Sequence, residues 1–271
     1  MSGFVANARM YAVAPAAEDA WRELLARAAA EAGLDLAYVP YPAPQPLEAL
    51  WRRPDLGAVF MCGYPIALGI AEVVPLVAPV PDADWAGGRA VYRSDLIVRR
   101  DSPWRRLEDS FVGHAGWTVE HSHSGFNAFR HHLLAHRAAG RARLYARVTG
   151  GLVTARRILD AVVAGEIDIG PLDAYWHMLL RRHRPELLEH VRVLESTATA
   201  PAPAIVCSPA FPGDDARRLR EALLAAPSRP WFAPLARALC LAGLAPASRA
   251  DYVPTLAWDA EARAAGYPEP A

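Results

Sequence analysis

The chain is organised around the eight residues Glu120-His121-Ser122-His123-Ser124-Gly125-Phe126-Asn127. The pattern of apolar residues predicts a strand over residues 111–120 and a helix over residues 126–137, with Arg130 on the outward face of that helix. Two serine hydroxyls and the N–H groups of the first helical turn then lie together, and such a helix start favours an anion or a polar ligand. Serine is also a common N-cap residue, so the pattern alone leaves both interpretations open.

The residues before this stretch alternate between predicted strands and predicted helices. Strands are expected at residues 8–13, 36–39 and 56–61, and helices are expected from Pro15 onward and at residues 47–51. This alternation is typical of a parallel sheet. Ligands bind at the carboxyl ends of such strands. The residues expected at that edge are Tyr11, Cys62, Gly63 and Tyr64.

A candidate ligand-binding carboxylate follows residues 120–127 in the chain. The pattern predicts strands at residues 92–98, 141–148 and 167–170 and a helix at residues 154–164. The last of these strands brings Asp173 to the same edge, beside Tyr175. Asp173 could accept hydrogen bonds from a ligand or could cap the helix at residues 174–182, and both interpretations remain open.

For the last part of the chain, the pattern predicts strands, two short helices and a frayed terminus. Residues 191–194 and 205–207 are expected to be strands, with an extended return over residues 195–203. The second of the two helices is expected to end at Gly243, and residues 267–271 are expected to fray.

Composition narrows the classes of partner. The formal net charge is zero over 271 residues, which argues against a nucleic-acid surface or a basic membrane patch and favours a small molecule. The three cysteines have no C-x-x-C spacing, so a disulfide is allowed but not required. No phosphate loop or redox motif appears, so no cofactor is expected.

No secretory signal and no run of about 18 apolar residues is visible. The chain as written is therefore expected in the cytoplasm, or in the periplasm if a leader has been removed.

Five stretches in this order resemble a known family. They are Phe60-Met61-Cys62-Gly63-Tyr64-Pro65, Tyr92-Arg93-Ser94-Asp95-Leu96-Ile97-Val98, Ser122-His123-Ser124-Gly125-Phe126-Asn127-Ala128-Phe129-Arg130, Gly165-Glu166-Ile167-Asp168-Ile169-Gly170-Pro171-Leu172-Asp173, and Arg192-Val193-Leu194-Glu195-Ser196-Thr197 before Ala200-Pro201. Together they resemble the phosphonate-type (phosphate, phosphite or phosphonate) solute-binding proteins of ABC transporters, and in particular the short PhnD-like variants that lack an export signal.

The resemblance implies the α/β type II periplasmic-binding-protein fold, in which two crossing strands join two lobes with the ligand in a central cleft. Lobe one would comprise residues 1–93 and 197–271, and lobe two would comprise residues 94–196. The implied function is non-catalytic binding of a small polar ligand that bears an oxyanion, with an ABC transporter permease as partner. The expected ligand-binding residues are Tyr11, Gly63, Tyr64, Tyr92, Ser122, His123, Ser124, Gly125, Asn127, Asp173 and Tyr175.

Two departures from the family pattern bear on the choice of ligand. His123 stands where the family commonly has threonine, so an imidazole expected to titrate near neutral pH replaces a hydroxyl. The histidine expected after Gly150-Gly151 is absent, because Leu152 stands there.

Two other functions are compatible with the sequence. A cytoplasmic enzyme on the same scaffold could use His121, His123 and Asp173 as acid or base. A metal site is suggested because six of the nine histidines lie within residues 114–136, with His132 and His136 at i,i+4 spacing. No adjacent carboxylate in the sequence completes a metal-binding set, so these histidines are expected to be solvated and no metal is expected.

Overall fold

The computed structural model describes residues 3–137 and 143–271. Its strands are β1 Val5–Asn7, β2 Ala37–Tyr38, β3 Leu56–Met61, β4 Val74–Pro81, β5 Val91–Tyr92, β6 Ser94–Arg99, β7 His114–Gly116, β8 Arg147–Thr149, β9 Ile169–Asp173, β10 Val191–Ser196, β11 Ala200–Pro201, β12 Ala204–Cys207 and β13 Leu241–Pro246. Its α-helices are α1 Pro15–Glu31, α2 Leu47–Trp51, α3 Gly63–Leu68, α4 Ala128–Leu133, α5 Ala155–Ala164, α6 Ala174–His183, α7 Gly213–Ala225, α8 Phe232–Leu239 and α9 Val253–Ala264.

The described chain forms two compact units. The first contains the residues up to Val91 together with Pro201–Tyr252, and the second contains Tyr92–Ala200 together with Val253–Ala271. The chain therefore passes from one unit to the other three times, whereas the resemblance implied two crossings.

The first unit is built on a six-stranded sheet in the order β13-β4-β12-β3-β1-β2. Strands β1, β2 and β3 run parallel, as the alternating pattern predicted, while β12 and β13 pair antiparallel to their neighbours. The predicted helix at α1 is confirmed, and the apolar face of this helix is buried: Trp21, Leu24, Leu25 and Ala28.

The first strand lies earlier than predicted. It is β1, and Arg9–Tyr11 form a 3₁₀ turn instead of a strand. The cause is Asn7, whose Oδ1 accepts a hydrogen bond from the Arg9 N–H at 2.9 Å and whose Nδ2 donates to the Val39 carbonyl at 2.7 Å. The bond to Arg9 turns the chain immediately after Asn7, because it gives the backbone N–H a local partner in place of a neighbouring strand, while the bond to Val39 anchors the Asn7 side chain.

The second unit is built on a five-stranded sheet in the order β10-β6-β9-β7-β8. The predicted strand at residues 111–120 is reduced to β7, and Phe111 lies in the 3₁₀ helix Leu107–Val112. Asp109 Oδ2 accepts hydrogen bonds from the N–H groups of Arg105 and Arg106, which fixes the start of that turn. The predicted strand at residues 141–148 begins outside the described residues, and β8 covers only its end.

The C-terminal residues correct the expected lobe boundaries. Residues 253–271 were assigned to lobe one but belong to the second unit. Helix α9 was not predicted, and Gly243 lies inside β13 while Cys240 ends α8 with a left-handed backbone (φ 50°). The predicted fraying is also wrong, because Tyr267 and Ala271 are buried and the Ala271 carbonyl accepts a hydrogen bond from the Leu144 N–H at 2.8 Å.

Candidate functional site

The organising stretch forms a distorted helix start in the second unit. His123–Asn127 make a π-helical turn, in which the Asn127 N–H bonds to the Ser122 carbonyl at 3.0 Å, five residues back. Ser122 Oγ accepts a hydrogen bond from the Gly125 N–H at 3.0 Å, so Ser122 is the N-cap. The structure thus confirms the capping interpretation for Ser122. Single π-turns inside helices often occur at functional sites.

Gly125 allows two segments to approach each other closely at the turn of residues 122–125, which we call the corner. A Cβ atom at this position would lie 2.0 Å from Thr118 Oγ1 and 2.9 Å from Ser122 Oγ. Any side chain would therefore push the helix start away from residue 118. Glycine is required here because there is no room for a Cβ atom, and not because the backbone adopts a conformation that other residues disfavour.

Ser124 has a hydroxyl without a hydrogen-bond partner among the described residues. Its carbonyl accepts a hydrogen bond from Ser94 Oγ at 2.8 Å, which fixes the backbone. Within residues 3–137 and 143–271, however, the Ser124 hydroxyl makes no hydrogen bond, although the residue is only 8% exposed. The Ser124 oxygen is not among the fully enclosed side-chain atoms that lack a partner, so the hydroxyl has spare hydrogen-bonding capacity that solvent or a ligand can reach at the helix start.

His123 is a buried neutral ring rather than a titrating one. Its ring lies between Tyr92 and Trp258, with centroid distances of 6.0 and 5.1 Å. Burial, together with the nearby charge of His131, lowers the pKa of His123 to about 3. The expectation that His123 titrates near neutral pH is therefore wrong, because its charged form would be desolvated.

Asn127 is fully buried and satisfied within the protein. Its Nδ2 donates to the Thr255 carbonyl at 2.8 Å, and its Oδ1 accepts a hydrogen bond from Arg130 at 3.0 Å. Arg130 also forms an ion pair with Asp259 and donates to the Pro268 carbonyl at 2.9 Å. Arg130 was predicted to face outward, but its side chain is fully buried. The Asn127 side chain therefore holds α9 against the helix start.

Asp173 caps α6, which is one of the two interpretations that the sequence left open. Its Oδ1 accepts hydrogen bonds from the N–H groups of Tyr175 and Trp176 at 2.9 and 3.0 Å. Asp173 is paired with Ser94 across β9 and β6, so the sheet brings it beside the residue that fixes Ser124. Tyr175 is buried on the same helix.

The other three predicted residues belong to the first unit. Tyr11 and Tyr64 are buried, and the Tyr11 ring packs edge-on against Phe60 at 5.0 Å. Gly63 packs against Tyr252, since an added Cβ would lie 2.2 Å from that ring. Tyr11 and Gly63 follow the carboxyl ends of the adjacent parallel strands β1 and β3, as expected. Their ligand contacts, and that of Tyr64, stay predictions.

A buried polar network lies beside the corner and was not singled out from the sequence. Asp95 Oδ2 lies 2.8 Å from His177 Nδ1, and Asp95 Oδ1 accepts a hydrogen bond from Ser196 Oγ at 2.7 Å. Burial raises the pKa of Asp95, but the bonds from His177 and Ser196 outweigh it and the net pKa is lowered. The carboxylate lies between the histidine and the serine, so the histidine is not placed to activate the hydroxyl as it is in a serine nucleophile.

Two of the missed residues had only weak signals in the sequence. Ser94 lies within one of the stretches that carry the resemblance, and its role depends on pairing with a distant turn. Trp258 lies on α9, whose inward face carries the polar residues Thr255 and Asp259 and therefore has little apolar periodicity.

A family model for the periplasmic substrate-binding protein of a phosphonate ABC transporter matches residues 12–252. The chain belongs to this family. Substrate-binding proteins of this kind bind small ligands, deliver them to transporters and are not enzymes. None of the curated protein sequences is similar enough to count as a relative. In the described part of the chain, no helix is long and apolar enough to cross a membrane.

Three solved structures share the fold of this chain. A binding protein of a phosphonate ABC transporter from Pseudomonas aeruginosa has a TM-score of 0.79 at 15% identity, covering 97% of this chain and 87% of that one. PhnD1 from Prochlorococcus marinus, in complex with methylphosphonate, has a TM-score of 0.75 at 12% identity, covering 96% and 98%. A Xanthomonas citri protein bound to ATP has a TM-score of 0.65 at 19% identity, covering 97% and 99%. The predicted type II periplasmic-binding fold is therefore confirmed.

Proposed function

We propose that this solute-binding protein takes a small ligand bearing a phosphorus oxyanion, and that the corner at residues 122–125 holds the oxyanion. The observation that carries the proposal is the Ser124 hydroxyl, which is almost buried and makes no hydrogen bond within the described chain. It lies at a helix start, where N–H groups and the helix dipole favour negative charge.

The ligands of two structural neighbours support this chemistry. PhnD1 binds methylphosphonate and the Xanthomonas citri protein binds ATP, and both ligands carry tetrahedral phosphorus oxyanions. A neutral His123 within the corner adds no charge that would select a particular anion. The selectivity is therefore proposed to come from directed hydrogen bonds rather than from a fixed cation.

The residues of the corner take different proposed roles. Ser124 Oγ donates to the ligand, while Ser122 orients the turn as its cap and Ser94 fixes the Ser124 backbone. The buried Tyr92 ring packs against the ring of His123, which belongs to the turn itself. Asp173 and Tyr175 are proposed to contact the other end of the ligand.

Replacement of Ser124 separates binding from stability. Ser124→Ala removes a hydroxyl that makes no hydrogen bond to the described part of the chain, so the melting temperature of the ligand-free protein should stay within about 1 °C of the unmodified value. A hydrogen bond to a charged group is worth about 1.5–3 kcal/mol, so affinity should fall about 10- to 100-fold. Isothermal titration with methylphosphonate, inorganic phosphate and ATP measures this loss, with sulfate and adipate as comparison anions.

Two controls define the result. Ser102→Ala, a partly exposed serine of the same unit, should leave affinity unchanged. Ser122→Ala should lower stability by about 1 kcal/mol, because it removes the cap. Equal affinity of Ser124→Ala and the unmodified protein for every phosphorus oxyanion that binds would refute the proposed site.

We also propose that the chain serves transport and not catalysis. His123 has a pKa too low for a base at neutral pH, and the Asp173 carboxylate is engaged in capping α6. A ligand recovered from the protein should therefore have an unchanged mass. We propose a periplasmic setting and an ABC transporter permease as partner, and loss of ligand uptake in cells lacking the protein would support this assignment.

A further inference from the structure

The far end of the helical run that begins at the corner carries a cluster of metal-ligand side chains. His132 lies in α4, His136 lies in the 3₁₀ turn Leu134–His136, and Glu195 lies in β10. One ligand atom from each of the three residues lies within 4.8 Å of the other two. The sequence offered no adjacent carboxylate to complete a set, but the fold brings Glu195 to the two histidines.

We propose that His132, His136 and Glu195 bind a zinc-like divalent transition-metal ion. Two imidazole nitrogens and one carboxylate oxygen are a donor set that zinc uses when it keeps a fourth position open for water. Calcium and magnesium take six or more oxygen ligands, so this set excludes them as good occupants.

Only small side-chain movements separate the cluster from metal-binding geometry. Ligand atoms of a tetrahedral zinc site lie about 3.3 Å apart, given zinc–ligand distances of about 2.0–2.1 Å. His132 Nε2 already lies 2.8 Å from Glu195 Oε1, within hydrogen-bond distance, and a metal bound to both atoms would replace the proton of that bond.

Neighbouring groups hold the second histidine in an orientation that suits the site. Glu108 Oε1 lies 3.4 Å from His136 Nδ1, which leaves Nε2 as the nitrogen able to bind metal. Such carboxylate–histidine–metal chains are a common feature of zinc sites. The Phe111 ring packs edge-on against His136 at 5.6 Å and limits its rotation.

The site is both anchored and accessible. Glu195 is paired with Leu96 in the sheet, so its backbone is held by a neighbouring strand. The side chains of His132 and His136 are each 19% exposed and that of Glu195 is 38% exposed, so an ion reaches them from solvent. A bound metal would tie the end of the helical run to β10 and so stabilise the second unit.

Titration with zinc chloride tests the proposal directly on the full chain without a histidine tag. The unmodified protein should bind one zinc ion per chain and gain several degrees in melting temperature. His132→Gln and Glu195→Gln should each lower zinc affinity more than about 100-fold, and Glu108→Gln about 10-fold, as for an outer-shell partner. Magnesium and calcium chloride should give no shift.

A control variant and a spectrum test whether a loss of zinc binding comes from the metal site itself and not from misfolding of the variant. His190→Gln removes an exposed histidine elsewhere in the second unit and should leave zinc binding unchanged. X-ray absorption at the zinc edge of the unmodified protein should show nitrogen and oxygen ligands with two imidazoles. Absence of zinc binding, equal binding by His132→Gln, or a sulfur ligand in the spectrum would overturn the proposal.

Discussion

Arg130 offers a sharp test of how the C-terminal helix is held. Its side chain is fully buried and contacts Asp259, whereas Arg263 contacts the same carboxylate from solvent at 2.8 Å with 65% of its side chain exposed. Removing one partner of a buried ion pair costs about 3–5 kcal/mol, because the other charge stays desolvated. Asp259 is 14% exposed, so we expect the lower end, about 3 kcal/mol, for Arg130→Ala.

The matched variant Arg263→Ala should cost less than about 1 kcal/mol, because the pair that it breaks is largely exposed and screened. Urea unfolding followed by the total fluorescence of the eight tryptophans measures both changes. A loss of about 3 kcal/mol lowers the melting temperature by about 6–12 °C. Hydrogen exchange of α9 should rise in Arg130→Ala alone. Equal losses in the two variants, or a loss below 1 kcal/mol for Arg130→Ala, would refute the buried ion pair.

Three further predictions concern the corner and its surroundings. Gly125→Ala should lower stability by about 1–3 kcal/mol and weaken ligand binding, because its Cβ would lie 2.0 Å from Thr118 Oγ1. The control Gly213→Ala should change the melting temperature little, because no atom lies within 4 Å of the added Cβ. The ring of His123 should stay neutral from pH 5 to 8 by NMR. The pKa of His123 is about 3 in the folded protein and about 6.5 in the unfolded chain. The contribution of the neutral ring to the free energy of unfolding is therefore complete above pH 6.5, and it falls by up to about 1.4 kcal/mol per pH unit below that pH. The variant His123→Phe should lack this slope. Asp173→Ala should cost about 1 kcal/mol in urea unfolding through loss of the cap, whereas Asp173→Asn should keep the cap and reveal any weaker ligand affinity.

Apolar periodicity was enough to predict much of the first unit. Helices α1 and α2 and strand β3 lie where the pattern placed them, because each buries a continuous apolar face. Strand β4 was missed because Pro75, Pro79 and Pro81 lie within it, and proline rarely occupies an inner strand. The three prolines are at alternate positions, so the missing N–H groups fall along one edge of the strand.

The second unit shows where local pattern fails. Arg130 was placed on the outer face because a charged residue in a helix is normally solvated, and its burial depends on Asp259 in a helix far along the chain. The cap at Ser122 was recoverable because capping is a local interaction. The contacts of Ser94 with Ser124 and of Glu195 with His132 arise only when the sheet has formed, so the sequence alone could not reveal them.

We propose above that the corner at residues 122–125 binds a phosphorus oxyanion and that the protein returns it unchanged. Phosphorus NMR of the full chain titrated in parallel with methylphosphonate, inorganic phosphate and ATP measures binding and chemistry together. We predict that at least one signal shifts or broadens until one equivalent is bound, that Ser124→Ala greatly weakens the effect, and that displacement restores the original spectrum. Unperturbed signals for all three compounds, or a new product signal, would show that the proposed function is wrong.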